Sequence, residues 1–167
     1  MSQYNFDEYF RYYIELVNKT DIISAMQNNK DEVIALYQSF AQEKGNFAYA
    51  DGKWTIKELL AHIIDCERIF CYRALRFARN DKTDLRGFDH DEYVKYVNVE
   101  KRSISNLLDE FVALRENSLH LFKSFDEEIL TRNGTANNLT IDVKSLGYMV
   151  SGHCTHHLRV IREKYII

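Results

Sequence analysis

Not one proline interrupts the 167 residues of this chain. Proline removes a backbone donor and breaks helix interiors, so its absence lets helices run long. Only 6 glycines are present, too few for a turn-rich β architecture. From about Asn5 to Asn28 apolar residues recur at helical intervals: Phe6, Tyr9, Phe10, Tyr13, Ile14, Leu16, Val17, Ile22, Ile23 and Met26. The polar run Asn18-Lys19-Thr20-Asp21 offers a break within this segment. A second helix is expected over roughly Lys30 to Glu43, with Gly45 as its cap.

The third helix has the clearest start. Thr55-Ile56-Lys57-Glu58 fits a capping box, in which Thr55 and Glu58 each accept from the other's backbone N–H. This helix runs to about Asn80, and a polar, acidic connection follows from Asp81 to Asp91. A fourth helix is expected over Glu92 to Ser124, with an interruption near Asn98. The stretch Asn133 to Asn138 reads as a loop, and a last helix spans about Thr140 to Tyr165. No strand, internal repeat or dividing linker is legible. Residues 1–167 therefore read as one all-α domain, a helical bundle.

Charge and cysteine usage exclude several functions. The net charge is −3 with both signs interspersed, and no basic stripe supports nucleic-acid binding. Cys66, Cys71 and Cys154 are odd in number and form no CxxC motif, which points to a reducing compartment rather than a disulfide framework. The N-terminus has neither the basic nor the apolar region of a leader, and no stretch is apolar enough to span a bilayer. The expectation is a soluble cytoplasmic protein.

Chemistry concentrates in the last helix. His153 and His157 are four residues apart in Gly152-His153-Cys154-Thr155-His156-His157. Residues so spaced lie one above the other on a helix face, so two imidazoles can grip one ion. The bland alternative is a histidine pair serving the surface or core. His62, in the third helix, could add a third nitrogen, giving a three-histidine site with an open position like that of catalytic zinc. A metalloprotease reading fails, because H-E-x-x-H needs a glutamate where this chain has Cys154.

With about 100° of rotation per residue, Asp65, Cys66, Ile69, Arg73 and Arg76 share the His62 face, whereas Glu67 and Arg68 point elsewhere. Asp65 could orient His62 through its second ring nitrogen or form a salt bridge within the bundle. Arg73 and Arg76 could hold an anionic group or pair with bundle carboxylates. Cys66 could ligate, but a small buried hydrophobe is the commoner role. His156, off the ligand face, suits an outer-sphere or substrate contact. Gly152 suits close helix packing, Cys154 points away from the ligand face, His90 lies in an acidic cluster that could bind a cation but better suits a solvated helix start, and His120 is structural.

Two separated segments carry a family resemblance. Lys53-Trp54-Thr55-Ile56-Lys57-Glu58-Leu59-Leu60-Ala61-His62, followed by Asp65 and Glu67-Arg68, resembles the first signature of the DinB/YfiT-like family of proposed metalloenzymes. Gly152-His153-Cys154-Thr155-His156-His157 resembles the second; many members carry glutamate where this chain has Cys154. The resemblance implies a four-helix bundle of the DinB type, often a homodimer. It implies a divalent metal, zinc or nickel, on His62, His153 and His157. It also implies a metal-dependent enzyme acting on a small molecule, either a transferase using a low-molecular-weight thiol or a hydrolase. A non-catalytic metal- or ligand-binding dimer is the alternative. No nucleic-acid or membrane partner is expected.

Overall fold

Side chains start these helices where other chains would use proline. In the computed structural model, which describes residues 6–17 and 19–166, the elements in chain order are α1 (Phe6–Glu15), α2 (Ile22–Gln38), α3 (Ile56–Ala78), α4 (His90–Val94), α5 (Ile104–Lys123), α6 (Glu127–Thr131), β1 (Asn133–Ala136), β2 (Leu139–Asp142) and α7 (Val143–Lys164). Asp21 accepts from Ser24 N at 2.9 Å, Ser103 from Asn106 N at 3.0 Å, and Asp142 from Ser145 N at 2.6 Å. The Thr55–Glu58 capping box is complete, with Glu58 N to Thr55 Oγ1 at 3.2 Å and Thr55 N to Glu58 Oε2 at 2.7 Å. Each such cap satisfies an otherwise orphaned N–H, worth about 1 kcal/mol.

The long helices α2, α3, α5 and α7 make a four-helix bundle. Both α2 and α3 pack against α5 and α7, and α1 lies along α7. The interior holds two apolar clusters. One contains Tyr37, Ile56, Leu60, Ile64, Leu107, Phe111, Leu158 and Ile161; the other contains Met26, Phe70, Phe77, Leu119, Phe122, Leu146 and Met149. Each helix carries a polar residue near the change from one cluster to the other: Asn29 on α2, Glu67 on α3, Arg115 on α5 and Thr155 on α7. Arg115 grips Glu67 with two bonds of 2.9 and 2.8 Å, donates to Met26 O at 2.9 Å and to Asn29 Oδ1 at 3.2 Å. Asn29 Nδ2 in turn donates to Thr155 Oγ1 at 3.2 Å. The bidentate geometry compensates two charges removed from water.

Several boundaries differ from the sequence expectation. Asn5 and Asn18, and the side chains of Phe6 and Tyr9, lie outside the described residues. The expected boundary between Asn28 and Lys30 is absent: α2 runs through it because Asn29 is buried and bonded on both sides. That helix stops at Gln38, and Gly45 sits in a short 3-10 turn (Gln42–Asn46) rather than at a cap. The interruption near Asn98 is present as expected, with Asn98 at φ of 48° between α4 and α5. The loop at 133–138 is in fact a hairpin of β1 and β2. Its turn residues Asn137 and Asn138 have φ of 54° and 65°, and asparagine tolerates this left-handed pair in a two-residue turn. No helix among the described residues is long and apolar enough to cross a membrane.

Candidate metal centre

The capping box aims the first turns of α3 at the middle of α7. His62, about two turns beyond Thr55, meets His153 with Nε2 to Nε2 at 3.0 Å. His157, one turn after His153 on α7, places its own Nε2 3.1 Å from the same atom. The three donor nitrogens lie within 4.8 Å of one another. Their residues are 4%, 3% and 9% exposed respectively. Among the described residues no fourth His, Cys, Asp or Glu joins this group.

Aromatic rings wall the cluster. Trp54 tilts against His62 with ring centroids 4.6 Å apart, Tyr13 meets His153 edge-on at 5.4 Å, and Phe70 meets it at 5.8 Å. This dry environment keeps the imidazoles neutral. Burial, then the nearby His90 and His156, pushes His62 down to about 3. Burial, followed by the neighbouring histidines, also holds His153 and His157 well below the usual histidine range.

Neutral imidazoles with converging lone pairs are the state a metal needs. Three Nε2 atoms facing one another cannot all be paired by ring protons, because His153 Nε2 has one position to share between two neighbours. In a tetrahedral zinc site with Zn–N near 2.0–2.1 Å, donor nitrogens are about 3.3–3.4 Å apart. The observed 3.0 and 3.1 Å lie within a few tenths of an ångström of that spacing. With Nε2 as ligand, the proton sits on the other nitrogen; His157 Nδ1 is buried with no hydrogen-bond partner. The donor set therefore fits a divalent ion.

The structure brings some expected residues to this cluster and sends others away. Asp65 faces Arg68 at 3.4 Å and makes no hydrogen bond to His62. Burial raises its pKa, with Arg68 opposing. Cys66 Sγ lies 3.7 Å from both ring nitrogens of His62, flanking that ring. Cys154 is fully buried in the core cluster around Tyr37 and Leu158, away from the donor atoms. His156 turns toward α1, where the Tyr12 hydroxyl and His156 Nδ1 are 3.2 Å apart. Arg76 lies at the far end of α3 and pairs with Asp81 and the Tyr72 hydroxyl. Arg73 is buried beneath the loop that precedes α4, and Arg86 O accepts from it at 3.2 Å. His120 is exposed.

Gly152 packs as expected: a Cβ there would lie 2.0 Å from Tyr13 O. Sequence reasoning placed His90 in a separate acidic cluster rather than beside His62, and it missed Tyr13. His90 starts α4, is half exposed, and brings its ring within 5.6 Å of His62 and 6.0 Å of Trp54. Its acidic surroundings signalled a helix start, and nothing local signalled the long-range approach. A separate groove between α1 and the start of α7, lined by Phe10, Ile14, Ile141 and Ser145, contains none of these histidines.

The comparisons agree with this architecture. Among solved structures, the chain is similar to YfiT from Bacillus subtilis, described as "a probable metal-dependent hydrolase with an unusual four-helix bundle topology". The TM-score is 0.75 at 14% identity, over 98% of this chain and 89% of that one. At that identity the likeness establishes the fold. No curated protein matches the sequence. The sequence profile of the DinB superfamily matches residues 25–161, most of the chain and all three clustered histidines. The chain belongs to the DinB superfamily.

Proposed function

We propose that this protein is a divalent-metal-dependent enzyme acting on a small molecule, with His62, His153 and His157 holding the ion. The observation that carries the reading is the convergence of three buried, neutral imidazole nitrogens with no fourth His, Cys, Asp or Glu in the group among the described residues. Three protein ligands and an open position are the pattern of catalytic rather than structural zinc sites. When bound, a divalent ion supplies the Lewis acidity that makes a nucleophile available near neutral pH. The chain's own residues do the rest. Trp54, Tyr13 and Phe70 exclude bulk water from the ligand rings, and Cys66 packs beside His62. His90, half exposed beside Trp54, is placed to meet a substrate as it approaches.

Transfer of a low-molecular-weight thiol to an electrophile is the reaction we favour, with zinc or nickel as the ion. Three neutral nitrogen donors leave the ion its positive charge, which favours a thiolate in the open position. Hydrolysis is the second reading, and the description of YfiT as a metal-dependent hydrolase favours it. The site reading is tested by elemental analysis of purified protein beside His157→Ala. About one divalent ion per chain is expected in the parent, with most of it lost in the variant; equal metal content rejects the ligand set. Turnover of electrophiles with glutathione, bacillithiol or mycothiol, against turnover of ester and amide substrates, then separates transfer from hydrolysis.

A further inference from the structure

Arg73 is only 5% exposed, yet no carboxylate among the described residues pairs with it. The other buried arginine, Arg115, has Glu67 as a two-pronged partner. Arg76 has Asp81, and the arginines without carboxylate partners, Arg11, Arg79, Arg86 and Arg159, are exposed. A buried guanidinium without a counter-ion is costly unless something else supplies the charge. Arg73 Nη2 donates to Arg86 O at 3.2 Å, and the guanidinium lies 6.0 Å from the Phe88 ring centroid. Its other two nitrogens are not among the fully buried unpaired atoms, so they remain within reach of solvent.

The same short loop joins this guanidinium to the histidines. Arg86 and Phe88 cover Arg73, and two residues later His90 lies against His62. Arg73 and His62 share a face of α3, eleven residues or about 16 Å apart along the axis. Helical side chains lean toward the N-terminus, so Arg73 reaches back and shortens that gap. Cys66 lies between them, 3.7 Å from the His62 ring.

We propose that Arg73 binds the anionic group, a carboxylate or phosphate, of a small substrate whose reactive end lies at the histidine triad; this rests on the metal-centre reading above. The planar fork of donors matches either oxyanion, and the spacing suits a short molecule. Of the two arginines on the His62 face, only Arg73 remains free of a protein carboxylate, so Arg76 takes no part.

The test titrates zinc-loaded protein with succinate and, separately, with inorganic phosphate, using succinamide as the neutral control. Binding is followed by calorimetry and by the shift in melting temperature. The parent and Arg76→Met should bind at least one of the anions saturably and ignore succinamide. Arg73→Met should bind on the order of tenfold to a hundredfold more weakly, and Arg73→Lys should recover part of the loss. Zinc content, measured on each variant, should not change. Equal anion binding in Arg73→Met, or no saturable anion binding by the parent, overturns the proposal. A parent that takes up no zinc instead overturns the metal-centre reading, whatever the anions do.

Discussion

Gly152 on α7 lies against the backbone of Tyr13 on α1, so closely that a Cβ at Gly152 would sit 2.0 Å from the Tyr13 carbonyl oxygen. The obstacle is main chain, which no rotamer change can relieve. One residue further along α7, His153 meets the Tyr13 ring at 5.4 Å. Close helix contact and closure of the histidine cluster are therefore one event. Gly152→Ala should push α1 off α7 and cost about 1–3 kcal/mol of stability, as overpacking typically does. Chemical denaturation measures the loss. Faster amide exchange confined to α1 and the adjoining face of α7 would identify its origin; unchanged stability would mean α1 is not held there.

Metal removal should loosen the link between α3 and α7. His62 belongs to one helix and His153 and His157 to the other, so an ion on all three ties the two together. Binding to the folded state alone stabilises it by mass action, about 4 kcal/mol when free ion is 1,000 times its dissociation constant. Chelator-treated protein should melt at a lower temperature than metal-loaded protein, and stoichiometric zinc should restore it. His62→Ala should melt at the same temperature with and without chelator. A parent protein indifferent to chelator would contradict the tie.

How much of this was legible depends on the range of the contact. The His153–His157 pair and the Thr55–Glu58 box were readable because both arise within one turn of one helix. The direction of Glu67, away from the His62 face, followed from helical rotation, but its burial did not, because its partner Arg115 lies 48 residues away and had no local signal. Asp65 illustrates competition: His62 and Arg68 are both three residues from it, and Arg68 offers a charge. The hairpin was hidden because Asn133 to Asn138 carries turn residues and almost no apolar alternation. His90 and Tyr13 reach the cluster only through packing of a loop and of α1.

The Glu67–Arg115 pair should dominate single-site stability. Both side chains are almost wholly removed from water, at 1% and 0% exposure. Glu67→Leu strands the Arg115 charge and Arg115→Leu strands that of Glu67, each costing about 3–5 kcal/mol. Replacing both removes two charges together, so the double variant should lose less than the sum of the singles. Urea unfolding of the four proteins gives the coupling directly. Strict additivity would show that the pair acts as two independent residues.

Acid should act on the metal-free protein through the histidine cluster. His62 titrates at about 3 in the folded chain, against a usual value near 6.5, and burial is the main cause. Burial also lowers His153 and His157. Above about pH 7 folded and unfolded chains alike carry these rings neutral, and stability does not respond to them. Below about 6.5 the unfolded chain takes up protons that the folded chain refuses, so stability falls toward pH 3, by up to about 1.4 kcal/mol per pH unit for each ring. Replacing His62 with Gln should flatten part of that slope in urea titrations between pH 7 and 4. In metal-loaded protein the same acidification sets protons against the ion for the ring nitrogens, so metal release should accompany the loss of stability. A slope unaltered by His62→Gln would assign the acid sensitivity to other groups.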